Sequence, residues 1–113
     1  MHSTIRGVHE YKENWKHVYS KRAIFNLEPD KDNSYDRWAV RIMLIVGDQK
    51  LLMGHVPAEK SKPIYFFIMR GNIGTVLNVQ RWVNFGRNKG VEVPCKFVFS
   101  GSAVDVLRLQ RAL

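Results

Sequence analysis

The chain of 113 residues is long enough to bury one hydrophobic core but not two, so we expect residues 1–113 to form a single domain. Its 45% hydrophobic content excludes a disordered chain, its single cysteine, Cys95, excludes an internal disulfide, and no apolar run is long enough to span a membrane. The formal net charge of +8 favours a polyanionic partner, and the lone cysteine, which we expect to be buried and inert, fits a reducing intracellular compartment.

The first half of the chain predicts four β-strands. Short apolar segments rich in β-branched and aromatic residues are separated by turn residues, which is typical of a small β-protein. Gly47 and Asp48 form a short turn between the last two segments, which therefore predict a hairpin. The four predicted strands are Ile5–Tyr11, Val18–Leu27, Arg37–Val46 and Lys50–Val56.

The second half predicts two further strands, Ile73–Trp82 and Val91–Ser100, on either side of a glycine- and asparagine-containing loop over 83–90. Before them, Pro57 suits a first helical position and Gly71 suits the end of a helix. The apolar run 64–69 has the propensity of a strand, however, so the residues alone leave helix and strand both open for this segment.

A final helix is predicted from Ser102, which lies three residues before Asp105, the spacing of a capping box. On this helix Val104 and Leu107, together with Ala103 and Leu109, are expected to face the sheet, with Arg108 and Arg111 outward. Six short strands with two helices cannot form a flat open sheet with a buried face on each side. The sequence therefore predicts a mainly β fold with two helices, arranged as a small, strongly curved six-stranded barrel.

Positive charge is concentrated in one part of the chain. Residues 1–59 hold nine basic and eight acidic side chains, whereas Lys60 to Val91 holds six basic residues and no acid. This block favours a surface that binds phosphates. A solvated basic face that keeps the domain soluble is the alternative, and no basic amphipathic helix supports a membrane surface.

A polar turn before the third strand is the most informative segment of the chain. Residues 27–40 combine Asp, Asn and Pro with an abrupt transition into an apolar strand. This places Asn33, Tyr35 and Asp36 at the lip of a sheet, where binding residues are often found. Asp and Asn also stabilise turns by bonding to their own backbone, so a plain surface turn is the alternative.

Together with a later Gly-His-Val segment, this turn resembles the motif of the HIRAN domain family, a small module of helicase-like repair ATPases. The matching positions are Gly7, Tyr11, Glu28-Pro29, Asn33, Tyr35-Asp36, Ala39-Val40, Gly54-His55-Val56 and Pro94–Gly101. The resemblance covers roughly residues 4–113, and a motif of about ten positions is more specific than any tripeptide. It implies an SH3- or OB-like β-barrel and favours a helix over 57–71.

HIRAN domains bind single-stranded DNA at its 3′ end, and the resemblance implies the same partner for this chain. By motif position, Asp36 would accept a hydrogen bond from the free 3′-hydroxyl, Asn33 and Tyr35 would frame the terminal nucleotide, and His55 would donate to a backbone phosphate. The resemblance also implies a monomeric, nuclear module of DNA repair, either an adaptor or part of a larger repair or helicase protein.

The chain departs from the family pattern near the expected site. His9-Glu10-Tyr11 replaces Arg-Tyr-Tyr, so a clamping guanidinium becomes the imidazole of His9, which is expected to bind the strand in its place, and a stacking tyrosine becomes an acid. Tyr11 remains and would stack on a base, although an aromatic that ends a strand in the core is equally consistent. Pro57-Ala58 replaces lysines, and Val91 replaces an aromatic residue. The resemblance therefore supports the fold and the general position of the site more strongly than it supports selectivity for 3′ ends.

A second group of residues is expected to compensate for these changes. Gly86 lies within the predicted loop and would let it approach a ligand. The alternative is that the tryptophan ends the fifth strand by packing into the core. The group, a cationic and aromatic lip suited to single strands, comprises Trp82, Phe85, Arg87 and Lys89.

Enzymatic chemistry has little support in the sequence. The four histidines lack metal-ligand spacing, one cysteine cannot build a zinc cluster, and no Gly-rich phosphate loop precedes a helix. The acids of the polar turn could hold a divalent ion, but such acids are more often a turn. We therefore expect a non-catalytic binding module without metal or cofactor. A protein-interaction adaptor that has lost end recognition and an RNA-binding barrel are the alternatives.

Overall fold

Six strands form one antiparallel sheet in the computed structural model, which describes residues 1–19, 23–80 and 91–113. They are β1 (His2–Ile5), β2 (Ala23–Pro29), β3 (Val40–Val46), β4 (Gln49–His55), β5 (Ile73–Leu77) and β6 (Val93–Ser100). Across the sheet they follow the order β1-β6-β5-β2-β3-β4. The other elements of the described chain are α1 (Ala58–Met69), α2 (Ala103–Ala112) and two 3₁₀ segments, Val8–Tyr11 and Asn14–Tyr19. The predicted mainly β fold with two helices is confirmed.

The two edge strands of the sheet meet at a backbone bridge, which we call the seam. Arg6, directly after β1, and His55, the last residue of β4, exchange N–H···O bonds of 2.9 and 2.8 Å. Glycine is needed beside the seam, because a Cβ on Gly54 would lie 2.6 Å from the Arg6 backbone oxygen and 2.6 Å from Cγ2 of Ile5. The seam holds the curled sheet as a half-barrel, which is the curvature that the sequence predicts.

Side chains from the sheet and from α1 form one buried cluster. Phe25, Leu44 and Phe97 of the strands belong to it together with Ile64 and Phe67 of α1, and each of the five is at most 4% exposed. Burying a side chain of this size stabilises a fold by about 1.5–3 kcal/mol. The cluster therefore fixes α1 against the sheet, close to the seam from which α1 follows.

The second 3₁₀ segment covers the edge strand β4. The side-chain amide of Asn14 donates to the carbonyl of Leu52 at 2.8 Å, and the indole N–H of Trp15 donates to the carbonyl of Met53 at 3.1 Å. Trp15 is buried in the core. These bonds satisfy backbone groups of a sheet edge that would otherwise be open to pairing.

The first two predicted strands are wrong in their bounds. β1 ends at Ile5 instead of running to Tyr11, because Gly7 takes a left-handed φ of 73° and turns the chain into a 3₁₀ segment. The predicted strand from Val18 begins inside the second 3₁₀ segment, and β2 begins at Ala23. Trp15 and Val18 are buried three residues apart, which is the spacing of one 3₁₀ turn and not of a strand.

Two later strands are shorter than predicted. β3 begins at Val40 instead of Arg37, because Asp36 accepts hydrogen bonds from the backbone N–H groups of Trp38 and Ala39 and keeps this stretch in a turn. β5 ends at Leu77, since the next residue has a positive φ of 54°. The predicted end of that strand at position 82 lies outside the described residues. β4 and β6 match their predicted bounds within two residues.

The segment before β5 is a helix, which settles the choice between helix and strand. α1 begins at Ala58, after an N-cap at Pro57, and Pro63 lies inside it. Pro63 lies past the first turn and has no N–H to donate to the carbonyl of Glu59, so α1 lacks one backbone hydrogen bond there. The hydroxyl of Ser61 donates to the Ala58 carbonyl at 2.9 Å and strengthens the first turn.

The predicted start of α2 is confirmed, and its predicted face is right for Leu109 and the outward arginines but wrong for Val104 and Leu107. The hydroxyl of Ser102 accepts the backbone N–H of Asp105 at 3.1 Å. Val104 and Leu107 are exposed, whereas Leu109 is buried and its neighbouring turn packs against the core. The reason is a tertiary contact, because the side-chain amide of Asn72, after α1, donates to the Asp105 carboxylate at 2.9 Å and turns that face of α2 inward.

The cysteine is buried, as predicted, and its thiol is expected to be unreactive. Burial raises the pKa of Cys95 to about 11. An ordinary thiol titrates near 8.5, so at pH 8 the folded protein holds the reactive thiolate in only about one molecule in a thousand. We expect a thiolate-directed reagent to label the native protein at least about 100-fold more slowly than the protein in denaturant. Equal rates in the two states would contradict this burial.

Candidate functional site

A cleft of about 460 Å³ opens beside the seam. It is formed by the first 3₁₀ segment, the turn before β3, the end of β4 and the start of α1. Because these segments are far apart in the chain, only the curling of the sheet brings them together. Five residues predicted from the sequence line the cleft: Tyr11, Asn33, Tyr35, Asp36 and His55.

The turn before β3 is held rigid by its own side chains. The side-chain oxygen of Asn33 accepts the backbone N–H groups of Tyr35 and Asp36, each at 2.9 Å. The backbone N–H of Asp30 donates to the Ala39 carbonyl at 2.8 Å and closes the base of the turn. Tyr35 is left fully exposed at the rim. Asn33 and Asp30 therefore stabilise the turn, and the turn places Tyr35 and Asp36 at the cleft.

Asp36 connects the cleft to α1. Its Oδ1 accepts the backbone N–H of Trp38 at 2.9 Å, and its Oδ2 lies 3.3 Å from the hydroxyl of Ser61, whose single hydrogen it shares with the nearer Ala58 carbonyl. A carboxylate can accept about four hydrogen bonds, so these two contacts fix its position and leave acceptor capacity for a ligand. The half-buried carboxylate is therefore a pre-organised acceptor for a hydroxyl or amide donor.

His55 is oriented by an acid beneath the cleft. Its Nε2 lies 2.8 Å from Oδ2 of Asp30, and its ring centroid lies 6.2 Å from that of Tyr11. With Nε2 directed at the carboxylate, Nδ1 is the ring nitrogen left for a ligand. A neutral ring with its hydrogen on Nε2 accepts at Nδ1, whereas an imidazolium donates there. Donation to a phosphate thus requires the protonated ring.

Tyr11 presents a neutral phenol to the same cleft. Burial raises its pKa above the ordinary value, and the charges of Glu10 and Asp30 raise it further. The hydroxyl therefore keeps its proton through the range in which proteins are ordinarily handled. It can donate a hydrogen bond while the ring, close to His55, offers an aromatic face.

The described walls of the cleft are not positively charged. Arg6 donates to both carboxylate oxygens of Glu59, at 2.8 and 2.9 Å, and its Nε donates to Glu92 at 2.6 Å. Glu10 and Asp36 add two further acids to the lining. Attraction of phosphates to this site must therefore come from cations elsewhere on the domain.

Not every predicted residue joins the cleft. His9 is absent from its lining, and within residues 1–19, 23–80 and 91–113 its Nδ1 is buried without a hydrogen-bond partner. Sequence reasoning missed Arg6 and Ala58, which do line it. The position of Arg6, one residue before the motif Gly7, was the available signal. The predicted lip of Trp82, Phe85, Arg87 and Lys89 lies outside the described residues.

Two other properties bear on the class of protein. In the described part of the chain, no group of three or more His, Cys, Asp or Glu side chains is placed to hold a metal ion. Neither helix in that part has the length and apolar character needed to cross a bilayer.

The architecture is that of a small curled β-sheet domain with a cleft at its seam, and two solved structures have this fold. A crystal structure of the HIRAN domain of human HLTF matches with a TM-score of 0.64 and 18% sequence identity, over all of this chain and 84% of that one. An NMR structure of the HLTF HIRAN domain in its DNA-bound conformation matches with a TM-score of 0.62 and 20% identity, over the same shares. No protein-family model and no curated protein sequence matches the chain. The chain therefore has the HIRAN-domain fold.

Proposed function

We propose that this domain is a non-catalytic module that binds single-stranded nucleic acid and that its cleft receives the 3′-terminal nucleotide of DNA. The observation that carries the proposal is the convergence of five motif residues, from three separate segments, on one cleft beside the seam. The likeness to a HIRAN domain solved in its DNA-bound conformation supports it.

The geometry gives each residue a role in this proposal. Asp36 accepts the hydrogen bond of the free 3′-hydroxyl, a charge-assisted bond that a phosphorylated end cannot donate. Asn33 holds the turn that presents Tyr35 at the rim. Tyr11 stacks on or donates to the terminal nucleotide, and His55 donates through Nδ1 to a phosphate when its ring is protonated.

Binding should depend strongly on salt. The charge of +8 is the attractive term, and Lys60, Lys62 and Arg70 of the acid-free block lie on or directly after α1, the helix whose first residue lines the cleft. If three or four phosphates are neutralised, log affinity should fall against log salt with a slope of roughly −2 to −3. Fluorescence anisotropy of a labelled oligonucleotide over a salt series measures this slope. A flat response, or no binding at low salt, would count against the proposal.

The same titration tests end recognition with three matched ligands. A reader of 3′ ends should bind DNA with a 3′-hydroxyl more tightly than the same DNA with a 3′-phosphate, and should bind RNA no more tightly than DNA. Equal affinity for DNA with a 3′-hydroxyl and DNA with a 3′-phosphate would contradict the proposal that the cleft recognises the 3′ end. Preference for RNA would indicate an RNA-binding barrel, because only RNA offers the 2′-hydroxyl.

A protein-interaction adaptor is the second candidate, and the charge of the cleft favours it. Arg6 is neutralised by two glutamates, and Glu10 stands where a stacking residue would help nucleotide binding. Such a module should show no salt-dependent binding of any oligonucleotide. In either case we propose that residues 1–113 act as one monomeric domain, in the nucleus, as an adaptor or as part of a larger repair or helicase protein.

A further inference from the structure

An aromatic cluster lies on the outer side of α1, next to the cleft. The ring of Trp38 lies 4.7 Å from that of Phe66 and 5.4 Å, edge-on, from that of Tyr65, measured between centroids. All three side chains are partly exposed. The core thus holds only one side of the cluster, and the outer side is open to a ligand within the described structure.

Three cations surround these rings. The guanidinium of Arg37 lies 4.7 Å and the ammonium of Lys62 lies 5.6 Å from the centre of the Trp38 ring, and the guanidinium of Arg70 lies 6.0 Å from that of Phe66. Among the described residues none of the three forms a salt bridge, in contrast to Arg6. Arg70 is, however, close enough to Asp105 for its charge to help lower the pKa of that carboxyl. Their positive charge is therefore largely available to a partner.

The acids near this surface are engaged elsewhere. Glu59, on the same helix, is taken by Arg6, and Asp36 accepts from Trp38 and Ser61. Within the described structure, no ion pair therefore ties the three cations to these carboxylates. The arrangement instead leaves cations stacked on aromatic rings, the combination that binds the phosphates and bases of a single strand.

The surface is continuous with the cleft. Ala58 lines the cleft, and Lys62, Phe66 and Arg70 follow it at intervals of four residues, so the four form one row along α1 and its C-cap. At 1.5 Å per residue this row is about 18 Å long. We call the surface formed by Arg37, Trp38, Lys62, Phe66 and Arg70 the α1 ridge.

We infer that the α1 ridge is the track for the nucleotides that precede the terminal one. The inference rests on the proposed function: with the 3′ end in the cleft, the strand leaves toward its 5′ end along α1. Bases stack on Trp38 and Phe66, and phosphates meet Arg37, Lys62 and Arg70. The ridge supplies the positive charge that the cleft lacks.

The test compares two variants that remove the same charge. Lys62→Gln with Arg70→Gln changes the ridge, and Lys96→Gln with Arg111→Gln, on β6 and α2, is the control. With a DNA strand of about eight nucleotides, the ridge variant should lose about tenfold in affinity relative to the control, and its salt slope should be less steep by about 1. With a dinucleotide the two variants should bind alike, and the preference for a 3′-hydroxyl should be unchanged.

Trp38→Phe tests base stacking separately from charge, because the substitution leaves the net charge unchanged and is measured by tryptophan fluorescence. Phenylalanine keeps the packing against Phe66 and removes the indole, so the fluorescence change on adding the longer strand should be smaller than in the parent. Thermal unfolding checks that each variant is folded.

If the ridge and control variants bind the longer strand equally, the inference is overturned, while a parent that still prefers the 3′-hydroxyl leaves the proposed function standing. A loss that is as large with the dinucleotide also overturns it, because the charges would then act at the cleft. A parent that binds no oligonucleotide refutes both.

Discussion

Replacing Gly54 with alanine is expected to destabilise the domain by about 3 kcal/mol, the upper end of what overpacking ordinarily costs, because the site is closed and the backbone at the seam must move. The new Cβ would lie 2.6 Å from the backbone oxygen of Arg6, and that oxygen cannot move without loss of its bond to the His55 N–H. Cγ2 of Ile5, in the core, blocks the other side at 2.6 Å.

Gly47→Ala is the matched control, since it lies in the β3–β4 turn with a left-handed φ of 59° and a Cβ there would meet nothing within 4 Å. It should cost only the intrinsic strain of a left-handed alanine, about 1–2 kcal/mol. Denaturant unfolding at constant slope measures both losses. If the two variants unfold at the same denaturant concentration, steric closure of the seam is not what makes glycine necessary at position 54.

Asp36→Asn is expected to remove the preference for a free 3′-hydroxyl while leaving the fold intact. Asparagine keeps one oxygen for the Trp38 N–H and offers an amide to Ser61, so stability should change by less than about 1 kcal/mol. Binding of 3′-hydroxyl ends should weaken by about 1–3 kcal/mol, because the charge-assisted acceptor is lost. Ends blocked by phosphate should bind equally or better, since a like charge has been removed.

Asp32→Asn separates this specific effect from general electrostatics. Asp32 lies in the same turn, is exposed, and its substitution changes the net charge of the protein by the same amount. It should raise the affinity for both kinds of end slightly and equally. Anisotropy titrations of the parent and the two variants with both ends give the comparison. If Asp36→Asn behaves as Asp32→Asn does, Asp36 serves the turn alone.

Local signals were sufficient where a few neighbouring residues decide the structure. The cap at Ser102 and the hairpin at Gly47 follow from short-range chemistry, and both are found. The polar turn was also predictable, because Asn33 and Asp36 bond to backbone within three residues of themselves. The HIRAN resemblance placed these pieces in one fold.

Tertiary contacts decided the rest. The partners of Arg6 lie 53 and 86 residues away, and Asp30 and His55 are 25 apart, so no pattern in a short window predicts that Arg6 is neutralised or that an acid orients His55. The inward face of α2 likewise depends on Asn72, which is 33 residues from Asp105. The spacing of Lys62, Phe66 and Arg70 could have predicted that they form one row on a helix. That the row is part of an aromatic surface depends on Trp38, which packs on Phe66 from the turn before β3 and could not be predicted from spacing.

The seam and the candidate cleft share two residues. His55 is both a wall of the cleft and half of the bridge that joins the sheet edges, and Arg6 is the other half. A ligand bound in the cleft would contact a site that exists only while the Arg6–His55 bridge is formed, so its binding would stabilise the seam. Conversely, transient opening of the Arg6–His55 bridge separates the walls of the cleft, while the pairing between the other strands can persist. Ligand binding and local opening of the seam therefore exclude each other, so a substitution that favours opening also weakens binding.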